Sequence, residues 1–154
     1  MTSLCCDVLK VLKGKTLVTA ESCTGGMIGA HLTGVPGASA VYKGGVISYW
    51  SQIKQDFLDV DAVLLEKNGP VSAPVAAAMA AGVRKRMQAD VAVSVTGLAG
   101  PDGDDFGCPV GTVFVGYDSA TGKAVKEYCF SGDRNSVRTQ AAEAALRLIL
   151  EYCD

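Results

Sequence analysis

Ser22-Cys23-Thr24-Gly25-Gly26 is the segment of this chain best equipped for chemistry. A short apolar run, Thr16-Leu17-Val18, precedes it, and Met27-Ile28-Gly29-Ala30-His31-Leu32 follows with the character of a helix. Two hydroxyls and a thiol therefore sit at a strand-to-helix corner. The first turn of a helix offers N–H groups without intrahelical partners and the positive end of its dipole. Glycine lets a ligand approach the backbone closely. Three chemistries suit such a corner: a serine nucleophile beside a ready oxyanion site, a thiol nucleophile of lowered pKa, or a phosphate cradle.

A nucleophilic serine needs a base. His31 is the only histidine, and it lies in the third turn of the helix that starts beside Ser22, directed along that helix away from the corner. A partly desolvated lysine can serve instead, because lost hydration lowers its pKa and frees a neutral amine. Lys54 is the candidate. Tyr49 stands five residues before it, at a strand end leading into a short helix, so a phenol and an amine can converge on one point. Each also has a plainer reading: Lys54 as a solvated surface lysine, Tyr49 beside Trp50 as a core or interface aromatic. Cys23 has no partner histidine nearby in sequence. Neither the Gly-Lys-[Ser/Thr] of a P-loop nor a Gly-x-Gly-x-x-Gly fingerprint follows the first strand.

The elements that must position these residues follow from periodicity and turn chemistry. Leu4, Val8, Leu9, Val11 and Leu12 predict a helix over 3–13, ended by Gly14. A strand is expected over 16–20. The helix after the corner runs to about Thr33, and Gly34-Val35-Pro36-Gly37 breaks it. Residues 39–49 read as extended. The Gly44-Gly45 pair within them marks a bulge, a tight turn or the approach of a ligand, which makes Gly45 a candidate substrate contact. A short helix over 51–58 carries Lys54, and Asn68-Gly69-Pro70 is a turn. Ser72 as N-cap and Pro74 in the first turn open an alanine-rich helix to about Met87. Val91-Ala92-Val93-Ser94-Val95 has the composition of a strand buried on both faces. Segments 110–117 and 125–130 pair as a hairpin around 118–122, and the last helix runs from about 135 to 152. This order, α-β-α-β-α-α-β-β-β-α, predicts an α/β protein: a single domain over 1–154, folded as a three-layer α/β/α sandwich with a mixed, mostly parallel central sheet.

Ligands of open α/β sheets bind at the carboxyl ends of the strands. The Ser22 corner, the 49–54 segment and the loop 96–103 should therefore gather at one end. In that loop the backbone at Thr96, Gly97, Ala99 and Gly100 is available to bind substrate, or it is simply a structural turn into the hairpin. Arg134 and Arg138 lie four apart at the start of the last helix and share a face. They suit a substrate phosphate, a dimer contact or a solvated surface. Asp102, Asp104 and Asp105 read as a solvated loop rather than a metal site.

Composition narrows the classes further. At 154 residues, 49% hydrophobic and 19% charged, the chain can bury a core and is not a disordered one. The net charge is −2, and there is no basic patch interleaved with aromatics, so no nucleic-acid partner is expected. No apolar run reaches the ~18 residues of a membrane span, and the N-terminus lacks the pattern of a signal peptide. The expectation is a cytoplasmic protein with no membrane partner. The six cysteines follow no zinc or Cys-x-x-Cys spacing, and with one histidine no metal site is expected.

Several blocks occur in a specific order: Ala20 to Gly26, Gly44-Gly45-Val46-Ile47-Ser48-Tyr49 with Lys54 and Val60, Val71-Ser72, Thr96-Gly97-Leu98-Ala99-Gly100-Pro101, Pro109 to Val113, and Gly132-Asp133-Arg134 with Arg138. Over about 16–152 the chain resembles the C-terminal domain of the competence/damage-inducible protein CinA, the PncC-type nicotinamide-nucleotide amidohydrolases, in a stand-alone form. The resemblance implies hydrolysis of the carboxamide of nicotinamide mononucleotide to nicotinate mononucleotide and ammonia, with no cofactor. It also implies a homodimer or higher homo-oligomer. Carried over, Ser22 is the nucleophile, Lys54 the general base and Tyr49 an aid to proton transfer or to lysine orientation. The backbone N–H groups of Thr24, Gly25 and Gly26 are the expected oxyanion site. A non-catalytic nucleotide-binding domain of the same fold, or an amidase for another carboxamide, are the alternatives. Two local departures from the family pattern stand out: Asp59, where the family usually has glycine, and Pro70 before Val71-Ser72.

Overall fold

The computed structural model describes residues 1–153. Its elements are α1 (Thr2–Val11), β1 (Leu17–Glu21), α2 (Met27–Thr33), β2 (Tyr42–Ile47), α3 (Ser51–Leu58), α4 (Ala62–Asn68), α5 (Ala73–Met87), β3 (Val91–Gly97), β4 (Thr112–Ser119), β5 (Lys123–Cys129) and α6 (Arg134–Tyr152). The strands form one sheet in the order β2-β1-β3-β4-β5. β2, β1 and β3 run parallel, and β4 and β5 continue the sheet antiparallel. Helices α1, α2 and α6 pack together on one face, and α5 covers the other with α3 and α4 against it. These are the three layers expected, with the parallel half of the sheet carrying the corner at Ser22.

Burial explains why the parallel half reads as it does. All five residues of β1 are buried, and so are the first six of β3. Strands covered by helices on both faces have no polar side to show, so alternation disappears. β2, at the sheet edge, alternates instead between half-buried and exposed. Its register against β1 slips between Leu17↔Tyr42 and Val18↔Gly44, a bulge at the glycine pair.

One helix was not expected. α4 holds seven residues, too few for a periodic pattern to emerge, and its signal lies in its caps. The Asp61 carboxylate accepts from the Val63 N–H at 2.8 Å, and Gly69 at φ +77° ends the helix. Ser72 stands at the N-cap of α5 as predicted, but its hydroxyl turns back and donates to the Gly69 carbonyl at 3.0 Å, closing the preceding turn. The hairpin is longer than expected, with Asp118 paired to Lys123 across it. Asp118 and Ser119 belong to β4 because they pair with Ala92 and Val91 of β3, and both are buried; the Asp118 carboxylate meets Arg84 at 2.9 Å and Lys123 at 3.0 Å.

The connections place the site. β1 leads through α2 to β2 on one side, while β3, its neighbour on the other side, leads into the hairpin. The chain thus departs in opposite directions from the carboxyl ends of adjacent parallel strands. A crevice opens there, the place where sheets of this kind bind ligands.

Candidate active site

A cleft of about 230 Å³ occupies this crevice. Ser22, Tyr49, Lys54, Thr96, Gly97, Ala99, Gly100 and Arg134 all line it, so loops far apart in sequence meet as expected. Thr24, Gly25, Gly26, Gly45 and Arg138 do not line it.

Ser22 directly follows β1. Its N–H donates to the Val95 carbonyl at 2.9 Å, which extends the β1–β3 pairing by one residue and fixes the start of the corner. Lys54 projects from α3 and is 1% exposed. Its Nζ donates to the Ser22 Oγ at 3.0 Å and to the Ser48 carbonyl at 2.5 Å, with the Tyr49 carbonyl at 3.5 Å. Among the described residues no carboxylate pairs with it. Burial without a counter-ion penalises the ammonium and pulls the Lys54 pKa down to about 8, against a smaller opposing effect from Cys23. The surface-lysine reading of Lys54 therefore fails. A neutral amine has two N–H bonds and one lone pair. With the N–H bonds directed at the two carbonyls, the lone pair is left for the Ser22 hydroxyl.

Cys23 also lines the cleft, but burial pushes its thiol up to about 11. It stays protonated near neutral pH, so the reactive group of the corner in contact with Lys54 is the Ser22 hydroxyl.

Tyr49 differs from expectation. Its hydroxyl accepts a hydrogen bond at 2.9 Å from Arg134, whose other terminal nitrogen donates to the Gly100 carbonyl. The part of Tyr49 that meets Lys54 is its main-chain oxygen. Half exposed, the ring forms the rim of the cleft, and Arg134 ties that rim to the loop after β3.

The backbone donors of the corner are also differently employed. The Gly26 N–H donates to the Glu21 carboxylate at 3.0 Å, and the Gly25 N–H to the Ser22 carbonyl at 3.1 Å. Both are spent within the corner, so of the expected oxyanion trio only the Thr24 N–H has no partner among the described residues. Arg138 approaches from α6 and donates to the carbonyls of Cys23 at 2.9 Å and Thr24 at 3.1 Å. It is a brace for the corner, not a lining residue. In a trans peptide C=O and N–H point opposite ways. By holding the Cys23 carbonyl, Arg138 therefore sets the direction of the Thr24 N–H.

Gly45 faces the other side of β1. A Cβ there would stand 2.1 Å from the Thr19 Oγ1, so glycine is required by the approach of two strands rather than by a ligand. In the loop, Thr96 is buried and donates to the Pro70 carbonyl at 2.7 Å, joining β3 to the turn before α5. That turn brings Pro70 and Val71 into the cleft wall, beside Ser51, Leu98 and Asp102. Nothing in Pro70-Val71 distinguishes a cleft wall from an ordinary helix approach, and Asp102, expected in a solvated loop, belongs to the cleft.

The family model for the CinA C-terminal domain matches residues 2–153. The chain belongs to the CinA C-terminal domain family. A CinA-like protein of Desulfotalea psychrophila is 45% identical over 92% of the chain, and one of Parasynechococcus marenigrum is 52% identical over 78%. The matched part makes up 34% and 29% of those two proteins, so the CinA domain here spans about a third of the curated relatives it matches. Among solved structures, the competence damage-inducible protein A from Klebsiella pneumoniae subsp. pneumoniae superposes with a TM-score of 0.94 at 33% identity. That match covers 98% of this chain and 95% of the other. Among the described residues no helix is long and apolar enough to cross a membrane.

Proposed function

We propose that this CinA domain is an amidohydrolase that acts through a serine acyl-enzyme, with the carboxamide of nicotinamide mononucleotide as substrate. The observation that carries the reading is the buried Ser22–Lys54 pair, 3.0 Å apart, with a lysine whose pKa is pulled to about 8. A lysine of that kind is a base near neutral pH, and a hydroxyl at hydrogen-bond distance is what it can activate.

Neutral Lys54 takes the Ser22 proton while Oγ attacks the carboxamide carbon, and the carbonyl oxygen becomes an oxyanion. The N–H groups of Cys23 and Thr24 are the corner's donors without a partner among the described residues, and of the two residues Cys23 lines the cleft. One such donor is typically worth ~3–4 kcal/mol of barrier. The Lys54 ammonium then returns the proton to the leaving nitrogen, ammonia departs, and the acyl group, still carrying its ribose phosphate, remains on Ser22 as an ester. A water molecule, deprotonated by Lys54, attacks that ester. Nicotinate mononucleotide is released and the serine recovers its proton.

The volume of the cleft suits the head group better than a whole nucleotide. Ligand pockets commonly enclose ~300–1,000 Å³, and at about 230 Å³ this one holds the pyridine carboxamide while the ribose and phosphate extend over the rim. Arg134 stands there. Its guanidinium has five N–H donors, of which two are used on Tyr49 and Gly100, so donors remain for a phosphate. Ammonia release measured across nicotinamide mononucleotide, nicotinamide and NAD tests the assignment. Turnover of the mononucleotide is expected to exceed that of free nicotinamide, which lacks the phosphate that Arg134 would hold. Binding of the mononucleotide with no ammonia released would instead make this a binding domain.

A further inference from the structure

Glu21 is a buried carboxylate, 2% exposed, at the end of β1 and next to Ser22. Among the described residues it has no cationic partner. The start of α2 closes on it instead. Its Oε2 accepts from the N–H groups of Gly26 at 3.0 Å and Ile28 at 3.1 Å, and its Oε1 from that of Gly29 at 3.0 Å. The Thr19 hydroxyl lies 3.4 Å from Oε1 and is itself 2.8 Å from the Tyr42 hydroxyl. The positive end of the helix is thus neutralised from inside the protein.

The main chain of the same residue reaches the base. The Glu21 carbonyl accepts from the Ser48 N–H at 2.8 Å, and the Ser48 carbonyl accepts from Lys54 Nζ at 2.5 Å. Nucleophile and base therefore hang from one framework that passes through Glu21. On its far side a cavity lined by Thr19, Gly26, Gly29, Tyr42 and Ile47 leaves α2 room to shift once the carboxylate stops holding it.

We propose that Glu21 is a positioning residue for the hydrolysis: by pinning the start of α2 to the end of β1, it holds the Ser22 Oγ at hydrogen-bond distance from Lys54. The proposal rests on the amidohydrolase reading above. Glu21→Gln keeps the size of the side chain but turns an amide N–H₂ toward backbone N–H groups, so the corner must move. A misplacement of about 1 Å at a reacting group costs about 100-fold in rate.

Two variants, Glu21→Gln and Tyr42→Phe, are compared with wild type by three measurements: kcat and KM for ammonia release, the rate at which a fluorophosphonate labels Ser22, and thermal melting. For Glu21→Gln the expectation is a cooperative melt, KM within about twofold, and kcat and labelling rate both down about 100-fold. Tyr42→Phe, which removes only the hydroxyl behind Thr19, is expected to lower both rates a few-fold. Wild-type kcat and labelling in Glu21→Gln would overturn the proposal, whatever its melting temperature. If Glu21→Gln does not fold, Tyr42→Phe decides, and unchanged rates there overturn it. Wild-type protein that is labelled but releases no ammonia would contradict the amidohydrolase reading alone, and the labelling ratios would still test Glu21.

Discussion

The buried lysine makes a quantitative demand on the pH profile. At a pKa of about 8 roughly one Lys54 in eleven is neutral at pH 7. At the ordinary 10.5 the fraction would be roughly one in 3,000, so burial supplies about 300-fold more free base. The kcat/KM for ammonia release should therefore rise about tenfold per pH unit below pH 8 and level above it. The profile is read above about pH 6.5, because a phosphate on the substrate itself titrates near 6. Lys54→Arg keeps a cation that cannot act as a base, and is expected to lose about 100- to 10,000-fold at every pH. The same shift predicts a stability effect, and its sign follows from proton linkage. The folded pKa lies below the unfolded one, so the unfolded chain binds more protons between about 8 and 10.5, and stability rises with pH across that window. The full span of the shift corresponds to about 3 kcal/mol. Urea unfolding of wild type and Lys54→Met should accordingly show wild type gaining on the variant from pH 7 to 10. An activity profile flat from pH 6.5 to 8.5, or a stability difference independent of pH, would refute the desolvated-base reasoning.

Other perturbations have equally specific outcomes. Arg134→Ala should raise KM for nicotinamide mononucleotide about 10- to 100-fold, the worth of a charge-assisted pair of hydrogen bonds, while KM for free nicotinamide barely moves. Cys23→Ala should keep kcat within a few-fold of wild type, because the thiol at about 11 is neutral; loss of acyl-enzyme formation in this variant would return the nucleophile to the thiol. Asp59 ends α3 at φ +54°, where a side chain is strained. Asp59→Gly should therefore stabilise the protein by about 0.5–1 kcal/mol, read as a higher melting temperature with unchanged activity.

Much of this site was legible in residue types. Ser22 stood out because a strand, a hydroxyl and two glycines occur together, and Lys54 because no histidine was placed to help it. Asp59 was marked as a departure, and its left-handed backbone shows why glycine is usual there. Less legible was how polar groups would pair. The N–H groups of Thr24, Gly25 and Gly26 are expected to face an oxyanion because the sequence offers no sign that Glu21 folds back to take that of Gly26. Arg138 and Arg134 share a helix face, yet one braces the corner and the other meets the cleft, a split decided by four residues' rise along α6. Gly45 and Gly97 look alike in sequence. A Cβ at Gly45 would strike Thr19, and one at Gly97 would stand 2.6 Å from Val113, so both answer to strand packing, which only the register reveals. The seven residues of α4 escaped because periodicity needs length, although Asp61 carried its cap.

The central claim is that Ser22, activated by Lys54, attacks a carboxamide. The most direct test is ammonia release from nicotinamide mononucleotide by wild type and Ser22→Ala under identical conditions, with folding of both checked by melting. Turnover by wild type and a loss of at least about 1,000-fold in Ser22→Ala are expected, since removing the nucleophile removes the covalent route. Near-full ammonia release by Ser22→Ala would contradict the account.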